Sequence, residues 1–258
     1  MSSSSFMAAN YQAAQVKVTL CHQSPGRYFF RSFLAGVFLT FGGLIAIFAA
    51  NYFADHPGMA KLIYTSLFPW GLVMIIFMNT ELATSNMMYL TSAALEGEIQ
   101  WRELVKTLLM CLLGNLLGSV FLALALRYSS AFQAVQADHY LFTVVTGKFN
   151  KSLGTVFLDA ILANMLVNTA ILGANRMRDD WSKIVFIFGP IAIFVLFGFE
   201  HVIANFASFS LAHFLAGNYM PDFTWPHILV HWLITFIGNY IGGGLIMGGG
   251  YQWLNHRK

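Results

Sequence analysis

Apolar residues gather into six long stretches, near residues 29–53, 62–93, 104–128, 152–174, 184–216 and 228–253, joined by short polar connections. Each is long enough for the roughly 20 apolar residues that a bilayer-crossing helix takes. The second and fifth run to about 32 residues and carry polar interruptions. In the second the interruption is Asn79-Thr80-Glu81-Leu82-Ala83-Thr84-Ser85-Asn86; in the fifth it is Glu200-His201-Val202-Ile203-Ala204-Asn205. Both place an asparagine five residues after a glutamate. A straight span needs neither the extra length nor the charge. The pattern therefore predicts an all-α integral membrane protein of six transmembrane helices, with the second and fifth broken.

The two halves read as copies of one unit. Phe33-Leu34-Ala35-Gly36 aligns with Ile161-Leu162-Ala163-Asn164, Glu81…Asn86 with Glu200…Asn205, and Gly114-Asn115-Leu116-Leu117-Gly118 with Gly238-Asn239-Tyr240-Ile241-Gly242. The offsets are 128, 119 and 124 residues, nearly constant and in the same order. Residues 28–255 are thus expected to form a single membrane domain, with repeat one at about 28–128 and repeat two at about 152–255. Three spans per unit is an odd number, so the copies should run through the membrane in opposite directions. Inverted repeats of this kind place a substrate path near the midplane, between discontinuous helices. Freed backbone groups at the breaks are tolerated only where protein or a watery cavity covers them. Glu81, Thr84, Asn86, Glu200 and Asn205 are expected to supply the missing hydrogen bonds. The glycines of the third and sixth stretches fit close helix packing.

Before the first stretch, Phe6, Met7, Ala9, Ala13, Val16 and Leu20 stand at loosely helical spacing. They predict that residues 1–27 form a cytoplasmic amphipathic segment lying on the membrane or against a neighbouring subunit. The first 25 residues lack a short apolar run with a small-residue cleavage site, so no cleaved signal peptide is expected.

Composition agrees: 57% of residues are hydrophobic and only 10% charged, where a soluble surface alone needs more charge. With six spans, one face collects Lys17, Arg27, Arg31, Arg102, Lys106, Arg176, Arg178, Lys183, Arg257 and Lys258. The other holds Lys61, Arg127, Lys148 and Lys151. The excess predicts a multi-pass protein of the cell's inner (plasma) membrane with both termini cytoplasmic. The net charge of +3 then reflects topology and gives no reason to invoke nucleic acid. Cys21 and Cys111 suggest neither a disulfide nor a metal framework.

The Glu200-His201 pair asks for a function, because ionisable groups in a span are costly unless they face a polar cavity. His213, His227 and His231 are expected near membrane edges in an interfacial role. An integral-membrane enzyme would need clustered histidine or acidic ligands, and the histidines are scattered. A water or ammonia channel would need an Asn-Pro-Ala pair or a second central histidine, and neither occurs.

Taken together, Phe68-Pro69-Trp70-Gly71-Leu72, the Glu81–Asn86 loop, Ile161-Leu162-Ala163-Asn164, Gly198-Phe199-Glu200-His201-Val202-Ile203-Ala204-Asn205 and Gly238-Asn239-Tyr240-Ile241-Gly242-Gly243 resemble the formate/nitrite transporter family. The similarity covers roughly residues 28–255. It implies an aquaporin-like protomer in a homopentamer, with one pathway per subunit for formate, nitrite, hydrosulfide or lactate, and no cofactor or metal. By motif, His201 matches the central pore histidine and Lys148 the vestibule lysine, with Lys151 its nearest rival. Thr84, Asn164 and Asn205 match polar residues near the histidine, and Glu200 accompanies them. Phe68, Leu72 and Phe194 match a cytoplasmic constriction; Leu82, Ala83 and Val167 match an outer one. Ala83 stands where formate channels carry a bulky aromatic, which favours a somewhat larger monocarboxylate such as lactate.

The physics predicts proton-linked passage. A bare carboxylate crosses a dry constriction only at a desolvation cost on the order of tens of kcal/mol by Born estimates, and the neutral acid crosses far more easily. Lys148 would concentrate the anion. His201 suits the proton transfer, since an unperturbed imidazole titrates near pH 6.5.

Overall fold

The computed structural model describes residues 3–132, 135–216 and 223–255, and every regular element among them is helical. Arg257 and Lys258, used in the charge argument, and the Phe6 side chain lie outside the described residues. The helices are α1 (Ser3–Gln23), α2 (Pro25–Asn51), α3 (Pro57–Leu67), α4 (Trp70–Phe77), α5 (Ala83–Glu96), α6 (Trp101–Arg127), α7 (Tyr140–Phe149), α8 (Leu153–Ala174), α9 (Asp180–Leu196), α10 (Val202–Ala216), α11 (Trp225–Asn239) and α12 (Gly250–Asn255). A π-helix, Tyr240–Gly249, joins α11 to α12. Among the described residues, five segments are long and apolar enough to cross a membrane: Pro25–Asn51, Pro57–Phe77, Trp101–Arg127, Leu153–Ala174 and Trp225–Asn255.

The second and fifth apolar stretches are interrupted where the polar residues fall, between α4 and α5 and between α9 and α10. Each turn contains one left-handed residue, Asn79 (φ 51°) in the first and Gly198 (φ 69°) in the second. Asparagine and glycine are the residues that adopt that conformation at least cost. Local chemistry also sets the helix starts. Ser152 accepts from the Thr155 N–H at α8, Asp179 from the Ser182 N–H at α9, and Gln100 with Glu103 closes a capping box at α6.

Close packing follows the aligned motifs. Gly114 and Gly118 of α6 lie against Ser32 and Phe33 of α2, with no room for a Cβ. Gly238 of α11 and Gly242 of the π-helix lie in the same way against Ala160 and Ile161 of α8. The same spacings serve both places, as the alignment of the halves requires.

The N-terminal segment does not lie free on a membrane surface. Helix α1 buries Met7, Asn10, Ala14, Val18 and Cys21 against the protein's own body, chiefly on α5 and α2. Tyr11 donates to Glu96 Oε2 at 3.1 Å and Gln15 to Glu98 Oε2 at 2.7 Å. Val16, on the same helix, stays exposed.

Candidate functional site

The backbone at the two breaks is held by a pair of asparagines. Asn115 accepts from the Ala83 N–H (2.8 Å) and donates to the carbonyls of Glu81 (2.8 Å) and Ser32 (2.7 Å). Asn239 accepts from the Val202 N–H (2.8 Å) and donates to the carbonyls of Glu200 (2.9 Å) and Ala160 (2.7 Å). All four hydrogen-bonding positions match under the offsets read from the sequence. The glutamate side chains, expected to brace these loops, do something else.

Each glutamate faces a lysine and the asparagine five residues on. Glu81 Oε2 accepts from Lys17 Nζ at 2.6 Å and from Asn86 Nδ2 at 3.0 Å. Glu200 accepts from Lys148 at 2.9 Å, Lys151 at 2.7 Å and Asn205 at 2.9 Å. The lysine amines come from α1 in one case and from α7 and the link after it in the other. Lys151 also bridges to Asp159 (2.7 Å) and to the Gly198 carbonyl (2.5 Å). The two rival lysines therefore share one carboxylate.

His201 is buried between these clusters. Its Nε2 lies 2.8 Å from Thr84 Oγ1, and its Nδ1 is 3.3 Å from the Ala204 N–H. An N–H pointing at Nδ1 makes that nitrogen the acceptor. The neutral ring therefore carries its proton on Nε2 and donates it to Thr84. Asn164 donates to the Thr84 carbonyl (3.2 Å) and the Asn239 carbonyl (2.7 Å), tying the histidine's partner to the second break.

Around His201 is a cavity of only about 10 Å³, lined otherwise by Leu39, Phe68, Leu72, Leu82, Val167, Ile191 and Phe194. A vestibule of about 280 Å³ adjoins it, bordered by Lys61, Tyr64, Tyr140, Lys148 and Lys151. Leu39, Phe68 and Phe194 belong to both linings. A ladder of rings runs from α7 to the centre: Tyr140–Tyr64 at 6.0 Å, Tyr64–Phe68 at 5.8 Å, Phe68–Phe194 at 5.7 Å and Phe194–His201 at 6.0 Å.

Three expectations need correcting. Phe68 and Phe194 were placed across the centre from Lys148, yet they separate the Lys148 vestibule from His201. Leu72, Leu82 and Val167 line the His201 cavity together with Phe68 and Phe194, so residues expected on two sides share one lining. Ala83 is fully buried, and its side chain lies outside both linings. Its N–H, held by Asn115, is what it contributes. His231 also departs from the expectation: it is 3% exposed on α11, packed 4.9 Å from the Phe209 ring, and not at a surface.

The sequence reading missed Lys17 as a partner of Glu81 and the bracing roles of Asn115 and Asn239. A signal for the asparagines was present, since a carboxamide inside a span must find partners. Lys17 offered none: its pair lies 64 residues away.

The comparisons with known proteins agree with this geometry. Residues 5–253 match the family model described as Formate/nitrite transporter. The uncharacterized transporter YrhG of Bacillus subtilis is 33% identical, covering 88% of this chain and 84% of its own length. A probable formate transporter of Methanothermobacter thermautotrophicus is 31% identical over 90% of each chain. The formate channel FocA of Escherichia coli is 29% identical, over 92% of this chain and 89% of its own. A solved structure titled FNT family ion channel superposes with a TM-score of 0.91 at 26% identity, over 97% of this chain and 99% of its own. The buried glutamate–asparagine breaks and the histidine between them thus sit in a chain that belongs to the formate/nitrite transporter family.

Proposed function

We propose that the chain conducts a small monocarboxylic acid, of the formate or lactate class, across the membrane in step with a proton. One observation carries the reading: His201 lies in a 10 Å³ cavity whose other lining side chains are apolar, next to a vestibule bordered by Lys148 and Lys151. That volume holds about one water molecule. A passing molecule must part Phe68, Leu72, Leu82 and Phe194, and a carboxylate that gives up its hydration there meets no countercharge. The neutral acid meets no such penalty.

Lys148 and Lys151 draw the anion into the vestibule, where the narrowing apolar walls favour its protonation. At the centre, the Nε2–H of His201 points to Thr84 Oγ1, so the ring stays hydrogen-bonded beside the passing acid. Lys17, Glu81 and Asn86 receive the acid on the other side, where it ionises again. The relatives named formate channel and formate transporter support the substrate class. Within this reading the termini are cytoplasmic, the six crossings form two inverted repeats, and five copies assemble with one pathway each. A solved structure titled pentameric formate channel shares the fold, with a TM-score of 0.73.

Uptake of labelled formate and lactate into proteoliposomes, with and without an inward proton gradient, tests the proposal. The gradient should accelerate uptake, and His201→Phe should abolish the acceleration while the assembly stays intact. Uptake that ignores the gradient, or survives the substitution unchanged, would sink it.

A further inference from the structure

On α8, one turn beyond Asn164, stands Asn168, also fully buried. Its amide nitrogen reaches the Asn164 carbonyl at 2.8 Å, Asn164 Oδ1 at 3.1 Å and the Thr84 carbonyl at 3.3 Å. Asn164 in turn reaches the Asn239 carbonyl, the Thr84 carbonyl and, at 3.4 Å, Met87 Sδ. Flipping either amide would turn an oxygen onto a set of acceptors, so both orientations are fixed by the network. Gly243 of the π-helix leaves the space these side chains fill; a Cβ there would overlap Asn164 and Asn168.

The first half has nothing comparable. Under the offset of 128, Asn164 and Asn168 correspond to Gly36 and Thr40. Thr40 bonds only within its own helix, to the Gly36 carbonyl at 2.7 Å. Only one wall of the centre therefore carries an amide pair, and both members converge on Thr84, the residue that receives the His201 proton. Asn168 Oδ1 has no partner among the described residues, so its buried amide is retained at a cost. A buried polar group kept with half its capacity unused points to a role for the other half.

We propose that Asn168 is a positioning residue for transport: with Asn164 it holds the Thr84 carbonyl and, through it, the Thr84–His201 contact. The inference rests on the central role of His201 given above. The amide ladder fixes the Thr84 backbone at the start of α5, so the hydroxyl stays 2.8 Å from Nε2. Without Asn168, Asn164 Oδ1 is left buried without its donor, and the Thr84 carbonyl loses one of its two amide donors.

The test uses the full chain in proteoliposomes and two variants. Asn168→Leu keeps shape and removes the donor. Asn168→Thr copies Thr40 of the first half and gives a variant built to fold if the leucine one does not. Proton-driven formate uptake should fall about fivefold in each, the worth of roughly one hydrogen bond. In an Asn164→Ala background the second substitution should cause a smaller loss than it does alone, because the two amides bond each other and share the Thr84 carbonyl. Nitrogen-15 spectra of histidine-labelled protein should show the Nε2–H signal of His201 shifting in the Asn168 variants as its hydrogen bond to Thr84 loosens. Unchanged spectra together with unchanged uptake would overturn the proposal, as would full additivity with Asn164→Ala. Failure of the underlying reading is seen separately, as undiminished uptake by His201→Phe.

Discussion

The two breaks are built alike in backbone and differently in charge. At both, an asparagine from the neighbouring helix takes one N–H and two carbonyls, and a glutamate meets an asparagine five residues on. The carboxylate at the first break has one lysine, Lys17; that at the second has two, Lys148 and Lys151. Lys17 sits on a helix laid over the body, whereas Lys148 and Lys151 border a 280 Å³ vestibule. The comparison separates two tasks that a single glutamate–asparagine motif suggests are one. The asparagines hold the broken chain together. The charges set what each mouth offers an arriving anion.

The largest expected effect strikes the shared part. Asn239→Leu and Asn115→Leu each strand a break N–H and two carbonyls, and each should destabilise the fold by about 3–5 kcal/mol. Thermal unfolding of the assembled protein in detergent should show similar losses for both; a loss at only one site would break the equivalence. Next come the carboxylates. Glu200→Gln takes the shared acid from two half-buried lysines, of which Lys151 keeps Asp159, while Glu81→Gln takes it from one, so the former should cost more, about 3–5 kcal/mol for a broken buried pair. Equal melting shifts would show that the second lysine adds nothing.

Smaller effects test the lysines singly. Lys148→Met or Lys151→Met leaves Glu200 a partner, and each should lower formate uptake about threefold, the order of 0.6 kcal/mol. Lys17→Met leaves Glu81 with none, and its loss should exceed either. If all three lose alike, the doubled cation is not a reserve. The smallest change in selectivity is expected at Ala83. Because its side chain faces neither cavity, Ala83→Phe should overpack the core and cost about 1–3 kcal/mol. The ratio of lactate to formate uptake should stay as it was. A shifted ratio would return substrate size to that position.

Much of the plan was readable from residue order alone. The long second and fifth stretches announced their breaks, the Glu-to-Asn spacing located them, and Gly114, Gly118, Gly238 and Gly242 marked the helix contacts. His201 stood out because charge inside an apolar run demands a reason. What escaped was whatever depends on depth or on distant partners. Phe68 and Phe194 were given the wrong side because sequence spacing does not show how far a broken span penetrates before it turns. The glycine run 242–250 was read as a bare packing face; its π-helical course, which makes room for Asn164 and Asn168, leaves no periodic trace. Lys17 was counted among topology-setting charges, since nothing near it names Glu81.

The order in which the charges occur along the chain has a consequence for biosynthesis. Lys17 precedes Glu81 by 64 residues, and Lys148 and Lys151 precede Glu200 by 52 and 49. At about 5–20 residues per second the cation leaves the ribosome several seconds ahead of its acid. Each acid is therefore made only after the cation that pairs with it in the folded protein.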